Sequence, residues 1–280
     1  MKNNMNKYKA AQTAIKVLPF AALVLLFGIF LAVVSAKGYR LDMYLQIVFN
    51  GEIYDYKELR AELETFGISF CTHSDTEVLV NTLQQYGEKA LDKLRGMFGF
   101  AVWNEKEQTL MLARDFFGIK PVYYAEIDGH FVFASEIKSI LAFPGYERKV
   151  NQKALEQYLS FQYAPLEETF FKGIYKLMPG HMLLYKNGNY EIKTYFKTKL
   201  TPGKWNRKTN MDQLRSQLAE ILRDSVKHHM LSDVEVGAFL SGGVDSGYLA
   251  SASGADQAFT VGFDEGDRYS EVNKAAKVAE

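Results

Sequence analysis

Cysteine is nearly absent from this sequence, because Cys71 is the only one among 280 residues. A lone cysteine excludes an internal disulfide framework and a cysteine-rich zinc site, and it fits a reducing compartment. A net charge is absent as well, since 33 Lys and Arg residues balance 33 Asp and Glu residues. This balance gives no indication of a nucleic-acid partner. What is present, 48% hydrophobic and 24% charged residues, is typical of a globular protein of about two domains.

Acidic residues are missing from residues 1–40, although this leader holds six Lys and Arg residues. Within it, residues 17–36 form an uncharged apolar stretch of about the length that spans a bilayer. The basic flanks predict a membrane segment with its N-terminus in the cytoplasm. A signal peptide is the alternative interpretation, because Ser35-Ala36 resembles a cleavage region.

After the leader, the hydrophobic pattern predicts an α+β region with an antiparallel sheet. Residues 45–50 are expected to form a short strand, and capping boxes at Asp55–Glu58 and Ser74–Glu77 are expected to open two helices. The further predicted elements are strands at 98–103, 109–113, 121–124 and 130–134, helices at 136–141 and 152–161, and a hairpin of 181–185 with 190–195 turning at Asn187-Gly188.

A second region begins beyond residues 197–210, which hold five basic residues and no acidic one and are predicted to be a linker. The apolar spacing over 214–226 predicts a helix that faces a core. Strands at 234–240 and 258–263 with a helix between them predict a parallel α/β sheet. The expected division is a leader at 1–40, a first domain at 41–196, the linker, and the beginning of a second domain at 211–280.

The segment from Leu240 to Ser246, with sequence LSGGVDS, lies between a predicted strand and a predicted helix. Its glycines allow a tight turn, and backbone N–H groups at a helix start bind phosphate oxygens. A carboxylate is repelled by phosphate unless a cation lies between them, so Asp245 indicates a Mg²⁺ ion. An ordinary turn between a strand and a helix is the alternative interpretation.

A weaker pattern is Asn50-Gly51-Glu52 together with Asp75. An amide side chain and a glycine N–H at a strand end suit an oxyanion hole, and two carboxylates suit an ammonium group. The alternative is a surface turn, in which these residue types are common.

Six segments in order carry a resemblance that covers the chain from about Tyr44 to its last residue. They are FNGEIYDYKELR (49–60), SDTEVL (74–79), GMFGFAVW (96–103), RDFFGIKPVYY (114–124), FASEIKSIL (133–141) and SDVEVGAFLSGGVDS (232–246). Together they resemble the glutamine-hydrolysing asparagine synthetases. The resemblance implies an α+β N-terminal-nucleophile glutaminase domain with αββα layers, followed by the start of an α/β ATP-pyrophosphatase domain.

The resemblance also implies roles for individual residues. Asn50 and Gly51 match the oxyanion-hole pair that contacts glutamine, and Glu52 and Asp75 match acidic residues around the amino-acid head of glutamine. The ATP site matches Leu240, Ser241, Gly242, Gly243, Asp245, Ser246 and Val261. The implied ligands are glutamine, aspartate, ATP and Mg²⁺, with a homodimer as one expected assembly and no nucleic acid. The implied reaction activates aspartate as β-aspartyl-AMP, which ammonia from glutamine converts to asparagine.

Several departures from the family pattern lead us to expect a defective chain. The family nucleophile is an N-terminal cysteine with a free amine, whereas this chain starts with Met1 and Cys71 is expected in a buried or edge-strand position within the first domain. No segment matches the arginine that binds the glutamine carboxylate, and Arg40 is not assigned that role. Gly247 stands where a second serine often follows. The second domain is expected to stop soon after its phosphate loop.

Two further hypotheses remain open at this point. One is a membrane-anchored, inactive remnant that acts as a binding protein, and the other is a related amidotransferase with a different acyl substrate. The family implies a cytoplasmic location, and association with a membrane through residues 17–36 is the alternative. The block RDFFGIKPVYY is assigned to packing and to the domain interface.

Overall fold

The computed structural model describes residues 44–199, 210–232, 234–263 and 270–280. The leader with its apolar stretch 17–36 lies outside these residues, as does most of the predicted linker 197–210. The chain divides into two compact units, with the boundary between Lys199 and Leu200. In the described ranges, no helix is both long enough and apolar enough to cross a membrane.

The first unit contains eight described strands and four described α-helices. In chain order they are β1 (Leu45–Ile53), α1 (Tyr56–Thr65), α2 (Asp75–Tyr86), a 3₁₀ helix (Gly87–Lys93), β2 (Gly96–Asn104), β3 (Thr109–Arg114), β4 (Tyr123–Ile127), β5 (His130–Ala134), α3 (Ile137–Leu141), α4 (Gln152–Phe161), β6 (Ile174–Lys176), β7 (His181–Lys186) and β8 (Asn189–Thr194).

These strands form two sheets, and every pairing in them is antiparallel, as the sequence predicted. The larger sheet has the order β1-β2-β3-β7-β8, and the smaller has the order β5-β4-β6. The strand predicted at 121–124 starts two residues later, at Tyr123. The strand predicted at 45–50 runs on to Ile53, so Asn50-Gly51-Glu52 lies inside β1 rather than beyond its end.

Successive side chains of a strand point to opposite faces of its sheet, and the buried apolar residues of the first unit form three clusters. The first cluster joins one face of the large sheet to α1 and α2, with Ile47, Leu63 and Val78 fully buried. The second lies between the sheets, where Leu112 meets Tyr124. The third covers the outer face of the small sheet with α3. Four layers in the order helix, sheet, sheet and helix result, which confirms the expected αββα architecture.

The hairpin formed by β7 and β8 turns at Asn187-Gly188, as predicted. Both turn residues have positive φ angles, 51° and 80°. Two consecutive residues in that conformation make the tight turn whose twist matches the twist of antiparallel strands. Asparagine and glycine tolerate this conformation, so the local sequence determines the turn.

The first predicted capping box is wrong. Asp55 does precede α1, but its side chain makes no capping hydrogen bond. Its Oδ1 instead accepts the backbone N–H of Arg95 at 3.0 Å, 40 residues away. A tertiary partner has therefore replaced the local one.

The second capping box is half correct. Ser74 caps α2 by accepting the N–H of Thr76 at 3.1 Å. Glu77 does not complete the box, because its carboxylate accepts the N–H groups of Cys71 and Thr72 at 2.7 and 2.6 Å. Cys71 itself is exposed and lies outside any strand, so the expectation of a buried or edge-strand cysteine is wrong.

The second unit contains, in chain order, α5 (Met211–His229), β9 (Ala238–Phe239), α6 (Val244–Ser253), β10 (Ala258–Phe259) and α7 (Val272–Ala279). The two strands pair in parallel, which confirms the predicted strand–helix–strand arrangement, although both are shorter than expected. The start of α5 is capped by Asn210, whose Oδ1 accepts the N–H groups of Asp212 and Gln213.

The prediction that the stripe 214–226 faces a core is only partly correct for the described part of this unit. Leu218 is 57% exposed and Ile221 is 66% exposed, and only Val226 of α5 is buried. Leu214 and Leu222 are half-buried, so the described elements of this unit cover the stripe only in part.

Candidate functional site

Gly51 lies on β1, and its backbone polar groups point away from β2. Phe98 is the residue of β2 that lies opposite Gly51. The N–H of Phe98 donates to a carboxylate oxygen of Asp115 at 3.3 Å, and the C=O of Phe98 accepts the backbone N–H of Asp115 at 2.8 Å. In an antiparallel pair, two opposite residues exchange both backbone hydrogen bonds or neither. The N–H of Gly51 is therefore directed to the outer side of β1, where a ligand oxygen can accept it.

The backbone of β2 leaves no room for a side chain at Gly51. A Cβ placed there would lie 2.0 Å from the carbonyl oxygen of Met97 and 2.7 Å from the Cα of Phe98. Both distances are far below van der Waals contact, so glycine is required for the close approach of β1 and β2 at this point.

Asp75 lies close to this segment of β1, although 22 residues separate it from Ile53. Its Oδ2 accepts the N–H of Ile53 at 3.1 Å. Asp75 is also the first residue of α2, where the partial positive charge of a helix start favours a carboxylate. The fold thus brings Asp75 next to Asn50-Gly51-Glu52, as the predicted glutamine site requires.

The side chains of Asn50 and Glu52 share one face of β1, because side chains alternate along a strand. Val48 has the same parity and packs against the cluster between the two sheets. Burial raises the pKa of the nearby Tyr54 phenol, and the negative charges of Glu52 and then Asp115 raise it further. Glu52 therefore adds negative charge to this end of β1.

Asp115 and Arg114 hold the loop that follows β3. The buried Asp115 carboxylate accepts four backbone N–H groups, those of Phe98, Phe117, Ile119 and Lys120, at 2.8 to 3.3 Å. The Arg114 guanidinium donates to three backbone carbonyls, those of Gly118, Lys120 and Leu177, at 2.7 to 2.8 Å.

This network explains the packing role assigned to RDFFGIKPVYY, and it reaches Phe98, the partner of Gly51. Sequence reasoning did not connect Asp115 to the glutamine site. An Arg-Asp pair directly after a strand was the only signal available.

In the second unit, residues Ser241 to Gly243 form the turn between β9 and α6. Gly242 has a φ of 75°, a conformation that favours glycine. The Ser241 and Ser246 hydroxyl oxygens lie 2.9 Å apart, and Ser246 Oγ also accepts the Ser241 N–H at 3.2 Å. A Cβ built on Gly243 would lie 3.5 Å from the hydroxyl oxygen of Ser241 and 4.0 Å from that of Ser246, and these are the nearest atoms to it. The turn therefore leaves space for an anion beside two serine hydroxyls.

Three other predicted nucleotide residues surround this turn. Leu240 is buried, with its N–H bonded to the Phe259 carbonyl and its C=O accepting the Thr260 hydroxyl at 2.7 Å. Val261 follows β10 and is 61% exposed. Asp245 lies in the first turn of α6 and is exposed.

No group of three or more His, Cys, Asp or Glu side chains in the described ranges is arranged to hold a metal ion. Asp245 alone still fits Mg²⁺, which takes one or two protein carboxylates when phosphate oxygens and water supply the remaining ligands.

Gly247 also has a structural explanation. A Cβ at this position would lie 3.3 Å from a methyl group of Val278 on α7. The glycine therefore allows α7 to pack closely against α6, and a serine would require Val278 to shift.

Residues 36–196 match the family described as a glutamine amidotransferase domain, and residues 217–280 match the family described as asparagine synthase. Asparagine synthetase [glutamine-hydrolyzing] 1 of Bacillus subtilis (strain 168) is 43% identical over 238 residues, covering 83% of this chain and 37% of that protein. A putative asparagine synthetase [glutamine-hydrolyzing] of Mycobacterium bovis is 38% identical over 250 residues, covering 85% of this chain and 38% of its own length.

Among solved structures, the glutamine phosphoribosylpyrophosphate amidotransferase of B. subtilis in complex with ADP and GMP aligns with a TM-score of 0.42 and 19% identity. The alignment covers 82% of this chain and 48% of that chain.

The first family match covers more than half of the sequence, so the chain belongs to the glutamine amidotransferase family. The second match and the relatives confirm the resemblance to glutamine-hydrolysing asparagine synthetases. The α/β start of a synthetase domain thus follows the αββα domain, as expected. The chain spans less than two fifths of the length of these relatives, 37% and 38%.

Proposed function

We propose that this chain carries part of a glutamine-dependent asparagine synthetase, which transfers the amide nitrogen of glutamine to aspartate with ATP as the energy source. The observation that carries the proposal is the order of the two family matches in one chain, a glutamine amidotransferase domain before an asparagine synthase segment. The outward N–H of Gly51 provides a hydrogen-bond donor for the glutaminase half of this reaction. The serine hydroxyls at the open turn around Gly243 provide donors for the synthetase half.

In the glutaminase half, the Gly51 N–H and the Asn50 amide would donate to the glutamine side-chain carbonyl oxygen as it gains negative charge. Hydrogen-bond donors placed at a developing oxyanion lower the barrier to acyl transfer. Glu52 and Asp75 would hold the glutamine ammonium group. The proximity of Asp75 to β1 supports this assignment.

In the synthetase half, the turn of Ser241, Gly242 and Gly243, together with Ser246, would bind the phosphates of ATP. The carboxylate of Asp245 would hold a Mg²⁺ ion, which would supply positive charge beside the phosphates. Leu240 and Val261 would adjoin the nucleoside, with Val261 contributing its exposed side chain. Aspartate would attack ATP through its side-chain carboxylate to form β-aspartyl-AMP, and ammonia would then displace AMP.

Further parts of the proposal concern organisation and location. The domain ranges 41–196 and 211–280, with a linker at 197–210, agree with the division of the chain near Lys199. A cytoplasmic location is proposed, because ATP and a reduced cysteine are expected there. A homodimer is the proposed assembly.

A chimera tests the proposed function. Residues 44–280 of this chain would replace the matching segment of B. subtilis asparagine synthetase 1, which then supplies the flanking sequence on both sides. We expect glutamine-dependent formation of asparagine and AMP, measured by chromatography of the amino-acid and nucleotide products. The reason is that the two candidate sites lie inside the exchanged segment.

The matched control is the same chimera with Gly242→Ala, which should lose AMP formation while it still hydrolyses glutamine. A folded chimera that forms AMP only with an acid other than aspartate would replace the proposal with a related amidotransferase of different acyl specificity. A folded chimera without any ATP cleavage would contradict the proposal.

Cys71 is expected to take no part in glutamine hydrolysis. The family nucleophile is an N-terminal cysteine, whereas Cys71 lies after Phe70 in the interior of the sequence and has no free amine to serve as its base. Glutamate release should equal that of Cys71→Ala at every pH from 6 to 9 in a coupled glutamate dehydrogenase assay. Glutamate release that disappears in Cys71→Ala would disprove this expectation.

A further inference from the structure

The turn proposed to bind phosphate contains no basic residue of its own. From Ala238 to Ser253 the sequence holds no Lys or Arg, whereas Asp245 adds a negative charge. A polyphosphate carries several negative charges, and protein sites that bind it commonly include a lysine at the phosphates. The chain must therefore supply a cation from another element if this turn binds a nucleotide tightly.

Helix α7 lies directly against the turn. A Cβ built on Gly242 would lie 2.6 Å from the Cβ of Lys274 and 2.8 Å from its carbonyl carbon. Because the side chain of Lys274 leaves the backbone at its Cβ, it starts immediately beside Gly242.

The side chain of Lys274 is exposed. Among the described residues, no carboxylate forms an ion pair with it. An ammonium group on a flexible four-carbon stem can turn toward an anion. Lys277 lies on the same helix and is also exposed, but the atoms nearest to a Cβ built on Gly242 belong to Lys274 and Ala275, and the atom nearest to a Cβ built on Gly247 belongs to Val278.

We propose that Lys274 binds the terminal phosphates of a nucleoside triphosphate held by the turn at Ser241–Gly243. This inference rests on the proposed function, and it adds a binding residue that no motif in the sequence marks. Lys274 would add a positive charge beside a turn in which Asp245 is the only charged residue between Ala238 and Ser253. Binding of the terminal phosphates, rather than of the nucleoside, is the property that depends on Lys274.

Isothermal titration of the full 280-residue chain tests this role, with MgATP, magnesium pyrophosphate and AMP as probes. In Lys274→Ala we expect binding of MgATP and pyrophosphate to weaken about tenfold, equivalent to about 1.4 kcal/mol. Binding of AMP should stay unchanged, because its single phosphate does not extend to the lysine. Lys274→Arg should retain most of the affinity for pyrophosphate, and Lys277→Ala is the matched control with full affinity.

Each outcome decides between the two proposals. If the unaltered chain binds MgATP and Lys274→Ala binds it equally well, the role of Lys274 is disproved while the nucleotide site stands. An equal loss for AMP and MgATP shows that Lys274 only supports the structure of the turn, which also disproves the inference. If the unaltered chain binds neither MgATP nor pyrophosphate, both the inference and the nucleotide site are disproved. Lys274→Gln replaces the alanine variant if that variant does not fold.

Discussion

Gly51→Ala is expected to destabilise the first unit by about 3 kcal/mol, the upper end of the range typical of overpacking in a core. The new methyl group would meet the Met97 carbonyl oxygen at 2.0 Å, so β1 must move away from β2. This movement breaks ladder hydrogen bonds on both sides of the rung between Gly51 and Phe98 and displaces the Asn50 amide. Urea denaturation followed by circular dichroism measures the free energy of unfolding, and calorimetry measures any binding of glutamine.

Gly129→Ala separates the steric clash from the cost of backbone conformation. Gly129 has a φ of 76°, and a Cβ there would meet no atom within 4 Å. Only the conformational cost remains, which is about 1 kcal/mol for an alanine forced to positive φ. Equal losses of stability in the two variants would show that β1 and β2 are not tightly packed at Gly51.

Asp115→Ala is expected to cost about 3–5 kcal/mol, the range for breaking a buried charged network. Four backbone N–H groups lose their acceptor at once, and the buried N–H of Phe98 carries the full cost of desolvation when it has no partner. The loop after β3 should become mobile, since Phe117, Ile119 and Lys120 are held through this carboxylate. Chemical denaturation and amide hydrogen exchange over residues 115–120 would measure both effects.

Two further variants test whether the loss of stability in Asp115→Ala comes from the lost hydrogen bonds or from the removal of a negative charge. Asp92→Ala removes an exposed carboxylate and should change the free energy of unfolding by less than about 0.5 kcal/mol. Asp115→Asn keeps one accepting oxygen and should have an intermediate effect. If Asp115→Ala leaves the loop as protected from exchange as in the unaltered chain, the proposed role of the carboxylate in holding the loop is wrong.

Local pattern was sufficient for much of the fold. The limits of β5 and α4 coincide with those predicted, because each is bounded by strong local signals and has an unambiguous period. The Asn187-Gly188 turn was predicted correctly because both residues favour the required φ angles. The capping box at Asp55 failed because Arg95, distant in sequence, offered the aspartate a better buried partner.

The sequence predicted which residues form the candidate site, but it did not predict how these residues are arranged. The motifs pointed to Asn50, Gly51, Glu52 and Asp75, and the hydrogen bond from Ile53 to Asp75 places them together. No local pattern indicated that the Gly51 N–H faces outward. That direction follows from the register of β1 on β2, a pairing between residues about 47 positions apart in sequence.

The sequence by itself determined the family, the antiparallel and parallel character of the two sheets, and the residue types at each candidate site. It did so because these properties depend on short-range periodicity and on motifs of a few residues. Only the tertiary structure decided that the Asp55 and Glu77 carboxylates bind other segments instead of capping their helices, why no side chain fits at Gly51, and that Lys274 lies beside Gly242. Those properties depend on contacts between distant segments, where close packing leaves room for one arrangement of the backbone and excludes the others.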